Sequence, residues 1–118
     1  MSEEGETTPE RLSELIEAGD AQVIDIRDDD EHAAGHIPGS RHIPISQLSA
    51  EAGSIDKDRP VVLYCRGGNR SPMAAEALRA SGYDATNLAG GLLAWAERGL
   101  PLEPEGGQVA ERSGLPPA

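Results

Sequence analysis

The chain has 118 residues, which is typical of one domain, and its single cysteine excludes an internal disulfide and a thiolate-rich metal site. A net charge of −11 argues against nucleic acid as a partner, because such binding requires cationic groups that neutralise phosphates. The sequence shows no apolar stretch long enough for a membrane span, and its acidic start is unlike a secretory signal, so we expect a cytoplasmic protein, monomeric by default.

The two ends of the chain differ in composition from its middle. Residues 1–7 are acidic and polar, and residues 104–118 are rich in Gly, Pro and polar side chains. Such segments bury too little apolar surface to offset the entropy lost on ordering. We therefore expect two disordered tails around one folded domain of residues 8–103.

Helix and strand signals alternate along the domain. The predicted elements, in chain order, are a helix after the N-cap Thr8, a strand over 22–27, a loop with one helical turn over 28–40, an extended segment at 41–45, a short helix at 46–50, a strand over 61–65, a helix over 71–82, a strand at 84–88 and a last helix at 91–99. The run VVLYC (61–65) is apolar throughout, as in strands covered on both faces. The order predicts a small α/β domain with a mainly parallel sheet flanked by helices.

The cysteine lies between a predicted strand and a predicted helix, in YCRGGNRSP (64–72). Ligands of open α/β sheets bind beyond the carboxyl ends of the strands. The first turn of a helix presents unpaired N–H groups and partial positive charge, and Arg66 and Arg70 add formal charge. All of these favour the thiolate of Cys65, which is the nucleophilic form.

The residues around the cysteine also fit a tight anion-binding loop. Gly67 and Gly68 permit positive φ angles, which turn backbone N–H groups inward. We predict Ser71 as the N-cap of the following helix and Pro72 as its first residue. A lone cysteine is often an inert core residue, but these neighbours favour a reactive Cys65.

Two long segments of the chain resemble single-domain rhodaneses, which are sulfurtransferases. VIDIRDDDEHAAGHIPGSRHIP is similar to the N-terminal signature of that family, and the sequence from VVLYCRGGNRSP to LLAW is similar to its catalytic half. The resemblance covers about residues 8–102. It implies a rhodanese-like fold and a Cys65 nucleophile that takes the sulfane sulfur of an anionic donor such as thiosulfate as a persulfide. Cyanide or a thiol would then accept that sulfur.

The resemblance also implies roles for the residues that follow Cys65. Arg66 would help to recognise the donor, and Arg70 would close the loop and offer positive charge to the donor anion. Ser71 would cap the helix and could donate a hydrogen bond to sulfur. The implied substrate-binding set is Arg66, Gly67, Gly68, Asn69, Arg70 and Ser71, whose backbone N–H groups would surround the persulfide.

Other motif residues are interpreted mainly as structural. Asp25 and Arg27 lie at a strand end that would face the loop; they could support the substrate, but a buried ion pair is the commoner role, and Glu31 is similar. His36 lies in GHIPG, which is typical of a turn. His32 and His42 stand where the family usually has an aromatic residue and Asn.

Loop length separates this chain from related enzymes of the same fold. Cys65 and Arg70 are separated by four residues, whereas the related phosphatases have five, which gives a cradle wide enough for a tetrahedral oxyanion. Sulfur transfer is therefore favoured over phosphate hydrolysis or arsenate reduction. A persulfide carrier that serves a protein donor or acceptor stays open. The sequence predicts neither a metal site nor a nucleotide-binding loop, and so no cofactor.

Overall fold

A computed structural model describes residues 5–110 and contains one five-stranded sheet in which every pairing is parallel. The strand order is β1-β5-β4-β2-β3. The strands are β1 (Glu6–Thr7), β2 (Gln22–Asp25), β3 (Arg41–His42), β4 (Val61–Tyr64) and β5 (Ala85–Leu88). The predicted α/β fold with a mainly parallel sheet is confirmed.

Within residues 5–110, five α-helices connect and cover the strands. They are α1 (Pro9–Ala18), α2 (Asp29–Ala34), α3 (Ile45–Glu51), α4 (Ser71–Ala80) and α5 (Gly91–Glu97), and a 3-10 turn (Ala52–Ser54) follows α3. The predicted N-cap of α1 is confirmed, because the Thr8 hydroxyl accepts the Arg11 N–H at 3.1 Å, and Gly19 ends the helix in the left-handed conformation. Among the described residues, none of the helices combines the length and apolar character needed to cross a bilayer.

The central strand β4 is buried on both faces, as its apolar run predicts. Val61 and Leu63 contribute to a core beneath α3 and α4, and Cys65 belongs to the same core. Val62 and Tyr64 alternate to the other face, where they pack with α1 and α5. The cysteine therefore lies at the carboxyl end of the most enclosed strand.

The prediction that residues 1–7 form a disordered tail is wrong for Glu6 and Thr7, which directly precede α1. Residues 1–4 lie outside the described residues, but Glu6 and Thr7 form β1, and Thr7 is buried. The edge of β5 supplies the reason, because Asn87 and Ala89 donate backbone N–H groups to the carbonyls of Gly5 and Thr7 at 3.0 and 2.8 Å. A strand of two residues is too short to show the alternation of apolar and polar side chains from which strands are predicted.

The structure also differs from the prediction at the other end. Residues 111–118 lie outside the described residues, whereas residues 103–110, here called the C-terminal strap, pack against the domain. Glu103 pairs with His36 through two backbone hydrogen bonds, and Gln108 donates its N–H to the Ala34 carbonyl at 2.8 Å. Val109 packs against the core on the α1 and α5 face. The Gly- and Pro-rich composition predicts disorder, because it does not show that the backbone of this segment packs closely against the domain.

Candidate active site

The cysteine occupies the junction between strand β4 and helix α4. Cys65 follows Tyr64, the last residue of β4, and its residue surface is only 1% exposed. In the neighbouring strand, Asp25 at the end of β2 is in register with Tyr64. The site thus lies at the carboxyl edge of the sheet, where parallel strands bind ligands.

Three backbone N–H groups and one hydroxyl group surround the Cys65 sulfur. Backbone N–H groups donate to Sγ from Gly68 at 3.1 Å, from Arg70 at 3.3 Å and from Ser71 at 3.4 Å. The Ser71 hydroxyl lies 3.5 Å from the same atom. This arrangement is an anion nest built around sulfur.

The pKa of Cys65 is lowered by this environment. Burial by itself opposes ionisation and is the largest single effect. The hydrogen bonds from the Ser71 hydroxyl and from the N–H groups of Ser71, Arg70 and Gly68 together outweigh it. The loop therefore favours a thiolate in a site that is largely closed to water.

The predicted role of Ser71 as N-cap is wrong. Arg70 precedes α4 with helical angles of φ −92° and ψ −36°, so Ser71 already lies in the first turn. A side chain there is placed to contact the loop rather than an amide of its own helix, and the buried Ser71 hydroxyl contacts Cys65 Sγ. In the thiol form Sγ donates to this hydroxyl oxygen, and in the thiolate form the hydroxyl can donate to sulfur instead.

Only one of the two loop glycines needs its conformational freedom. Gly68 has φ +90°, and a Cβ there would lie 3.2 Å from the Gly90 nitrogen. Gly67 lies outside the positive-φ region, contrary to prediction, and a Cβ there would meet only the Leu93 side chain at an ordinary 3.7 Å. The loop turns at Gly68.

The start of α5 braces the loop from outside. The N–H groups of Leu92 and Leu93 donate to the carbonyls of Cys65 and Arg66, both at 2.9 Å. Gly91 allows this approach, because a Cβ there would lie 2.6 Å from each of those two carbonyl oxygens. These backbone contacts fix the loop without occupying the N–H groups that donate to the sulfur.

The Arg70 guanidinium is paired with a buried carboxylate from α2. Its two terminal nitrogens donate to the Glu31 oxygens at 3.3 and 3.2 Å. The Glu31 side chain is fully buried, and it also accepts the Asp28 N–H at 3.0 Å. The pair anchors the end of the loop to α2, and the charge of Arg70 is shared with Glu31.

Asp25 and Arg27 form a fully buried ion pair at the end of β2. The Arg27 Nε and Nη2 atoms donate to the two Asp25 oxygens at 2.9 and 2.7 Å. Burial opposes the charge of Asp25, but its hydrogen bonds with Arg27 and His32 prevail and lower its pKa. The Tyr64 hydroxyl also donates to Asp25, at 3.2 Å. The pair therefore joins β2 to the strand that carries Cys65.

The three histidines stack on one another beside this ion pair. The His32 ring lies 3.8 Å from the His36 ring and 4.4 Å from the His42 ring, both nearly parallel to it. His32 donates from Nδ1 to Asp25 at 2.8 Å, and His42 donates from Nε2 to the Arg27 carbonyl at 2.8 Å. Burial lowers the pKa of His32 despite the nearby Asp25.

The structure thus gathers part of the predicted substrate-binding set around the sulfur. Gly68, Arg70 and Ser71 donate to Sγ, whereas none of the described hydrogen bonds to Sγ comes from Arg66, Gly67 or Asn69. Arg66 instead donates from Nε to the Ala110 carbonyl at 3.1 Å. In the part of the chain that the structure describes, no group of three or more His, Cys, Asp or Glu side chains is placed to hold a metal ion.

Sequence reasoning gave only part of what supports the loop. It predicted an ion-pair role for Glu31, but its partner Arg70 is seen only in the folded chain. The close approach of Gly91 to the Cys65 and Arg66 carbonyls was not predicted, although the adjacent Gly90 and Gly91 can signal such an approach. The hydrogen bond from the Tyr64 hydroxyl to Asp25 was not predicted either.

Comparison with known proteins identifies the family to which this architecture is similar. The family model for the rhodanese-like domain matches residues 8–98. A sulfurtransferase of Allochromatium vinosum is 42% identical over 104 residues, which cover 86% of this chain and 97% of that protein. A thiosulfate sulfurtransferase of Pseudomonas aeruginosa is 42% identical over 88 residues, covering 74% and 79% of the two chains.

A solved structure agrees with these sequence matches. The crystal structure of a rhodanese-related protein from Thermoplasma volcanium superposes with a TM-score of 0.77 at 32% identity. The match covers 82% of this chain and 95% of the other. The family match over residues 8–98 contains the cysteine loop and strands β2 to β5.

Proposed function

Because the chain belongs to the rhodanese-like domain family, we propose that it acts as a sulfurtransferase. In this proposal it moves a sulfane sulfur from an anionic donor such as thiosulfate to cyanide or a thiol through a persulfide on Cys65. The observation that carries the proposal is the convergence of three backbone N–H groups and one hydroxyl on Sγ. Such donors stabilise a sulfur anion before and after transfer.

The first step forms the persulfide without an external oxidant. The Cys65 thiolate attacks the outer sulfur of thiosulfate, a new S–S bond forms, and the S–S bond of thiosulfate breaks. Sulfite leaves with the electron pair of the broken bond. The charge on Sγ passes to the outer sulfur of the persulfide, next to the N–H groups of Gly68 and Arg70.

The second step returns the enzyme to its starting state. Cyanide attacks the outer sulfur of the persulfide, the S–S bond to Cys65 breaks, and thiocyanate leaves. The electron pair of that bond restores the Cys65 thiolate, which the loop stabilises again. This is double-displacement covalent catalysis, and it needs neither a metal nor an organic cofactor.

The remaining residues have supporting roles in the proposal. Arg66 recognises the anionic donor, and Arg70, held by Glu31, keeps the loop closed around the sulfur. Asp25 and Arg27 do not contact Sγ in the described structure, so we assign them to positioning the strand end. Gly67 and Asn69 shape the loop rather than donate to the thiolate.

Steady-state thiocyanate production from thiosulfate and cyanide tests this function. We expect turnover that depends on Cys65 and is abolished in Cys65→Ser. Absence of turnover with thiosulfate, together with sulfur uptake from a protein persulfide, would instead support a carrier module. Hydrolysis of an aryl phosphate that depends on Cys65 would overturn both readings.

A further inference from the structure

We propose that the C-terminal strap positions Arg66 and thereby strengthens the binding of the anionic sulfur donor. The inference rests on the proposed function and deepens it, because it assigns a specificity-determining element outside the cysteine loop. The strap residue Ala110 accepts a hydrogen bond from Arg66 Nε at 3.1 Å. Arg66 is the residue directly after Cys65.

The strap is seated on the domain by a close backbone contact. Gly35 lies directly beneath it, and a Cβ at this position would collide with the Gln108 carbonyl oxygen. A Cβ on Gly107 would likewise lie 2.8 Å from the Pro104 oxygen and 3.1 Å from the Ala34 oxygen. The backbones of Gly35 and Gly107 are in close contact, and this contact fixes where the strap crosses the domain.

Further contacts fix both ends of that path. At its start, Glu103 exchanges backbone hydrogen bonds with His36 at 2.8 and 2.9 Å. Near its end, Val109 packs against the core on the α1 and α5 face. The position of Ala110 beside the loop therefore follows from the packing of the whole strap.

Arg66 is held at both its backbone and its side chain. Its carbonyl accepts the Leu93 N–H at 2.9 Å, and its guanidinium meets Ala110. An arginine side chain loses much rotamer freedom when it binds a ligand, and fixing it in advance removes part of that cost. The strap is in this sense a positioning element that acts through Arg66.

Displacing the strap should weaken donor binding and leave the chemical step unchanged. Restoring rotamer freedom to one long side chain corresponds to a rise of about two- to tenfold in the KM for thiosulfate. The value of kcat should not change, because the described hydrogen bonds of Gly68, Arg70 and Ser71 go to Cys65 and Glu31 and none goes to the strap.

The test compares point variants and a truncation of the full chain. Gly35→Ala displaces the strap, and its extended φ tolerates alanine. Gly53→Ala is the matched control, because a Cβ there meets no atom within 4 Å. Removal of residues 104–118 should raise the KM as Gly35→Ala does. In an Arg66→Ala background, Gly35→Ala should cause no further rise.

A second readout separates this proposal from the proposed function. The ratio of alkylation rates of Cys65 by anionic iodoacetate and neutral iodoacetamide should fall about two- to tenfold in Gly35→Ala and stay constant in Gly53→Ala. If thiosulfate turnover is absent while this ratio falls, the proposed function fails and the strap assignment stands. An unchanged KM and an unchanged ratio in Gly35→Ala, or a KM effect that persists in Arg66→Ala, would overturn the assignment.

Discussion

Replacing Ser71 by alanine removes the one side-chain hydrogen-bonding group that the described residues place at the Cys65 sulfur. The hydroxyl lies 3.5 Å from Sγ, and the backbone N–H of the same residue donates to Sγ from 3.4 Å. The substitution deletes the first contact and keeps the second. Since alanine is a strong helix former, α4 should begin as before.

The size of the effect follows from the number and length of the hydrogen bonds to sulfur. A net contribution of about 1 kcal/mol is typical of one such bond, and the long distance favours this value over the larger ones seen with charged groups. About 1 kcal/mol corresponds to a roughly fivefold smaller thiolate fraction at a pH below the thiol pKa. The three backbone N–H groups remain.

The assay is the pH dependence of iodoacetamide alkylation of Cys65, together with the ultraviolet absorbance of the thiolate. Ser71→Ala should alkylate about fivefold more slowly below the midpoint, and the midpoint should move to higher pH. Ser81→Ala, a serine at the other end of α4, is the matched control and should behave like the parent. An unchanged midpoint in Ser71→Ala would refute the role assigned to the hydroxyl.

Three further predictions concern the groups around the loop. Glu31→Gln should lower the free energy of unfolding in urea by about 2 kcal/mol, because Arg70 loses a charged partner; an unchanged value would contradict the buried pair. Because burial holds the pKa of His32 below 6.5, protonation favours the unfolded chain, so stability should fall as the pH drops through that value. His32→Phe should reduce this fall, and an undiminished fall would contradict the assignment. Gly91→Ala should lower the melting temperature, since it combines φ +61° with a collision against the Cys65 carbonyl, whereas Gly53→Ala should not.

The sheet and its long helices could be predicted because their signals are local. The apolar run of β4 and the cap pair Thr8 and Gly19 each fix an element from a few adjacent residues. Strand β3 lies within the extended segment predicted at 41–45, whereas β1 could not be recognised in this way, since it has two residues and depends on pairing with β5 at the other end of the chain. The strap was missed for the same reason, because glycine contacts hold it in place.

The type of site, an anion-binding loop around Cys65, could be predicted, but the roles of its residues could be predicted only in part. The pattern Cys-Arg-Gly-Gly-Asn-Arg before a helix indicates an anion-binding loop, which is what surrounds Cys65. A shift of one residue at the start of α4 changed the role of Ser71 from cap to sulfur ligand. The pairing of Arg70 with Glu31 joins residues 39 positions apart, so it follows only from the folded chain.

Intact-mass measurement after incubation with thiosulfate tests the central claim most directly, because it detects the persulfide itself. We expect the chain to gain one sulfur atom, cyanide to remove it, and Cys65→Ser never to acquire it. A chain that gains no sulfur from thiosulfate, or gains it equally in Cys65→Ser, would contradict the assignment of Cys65 as the nucleophile.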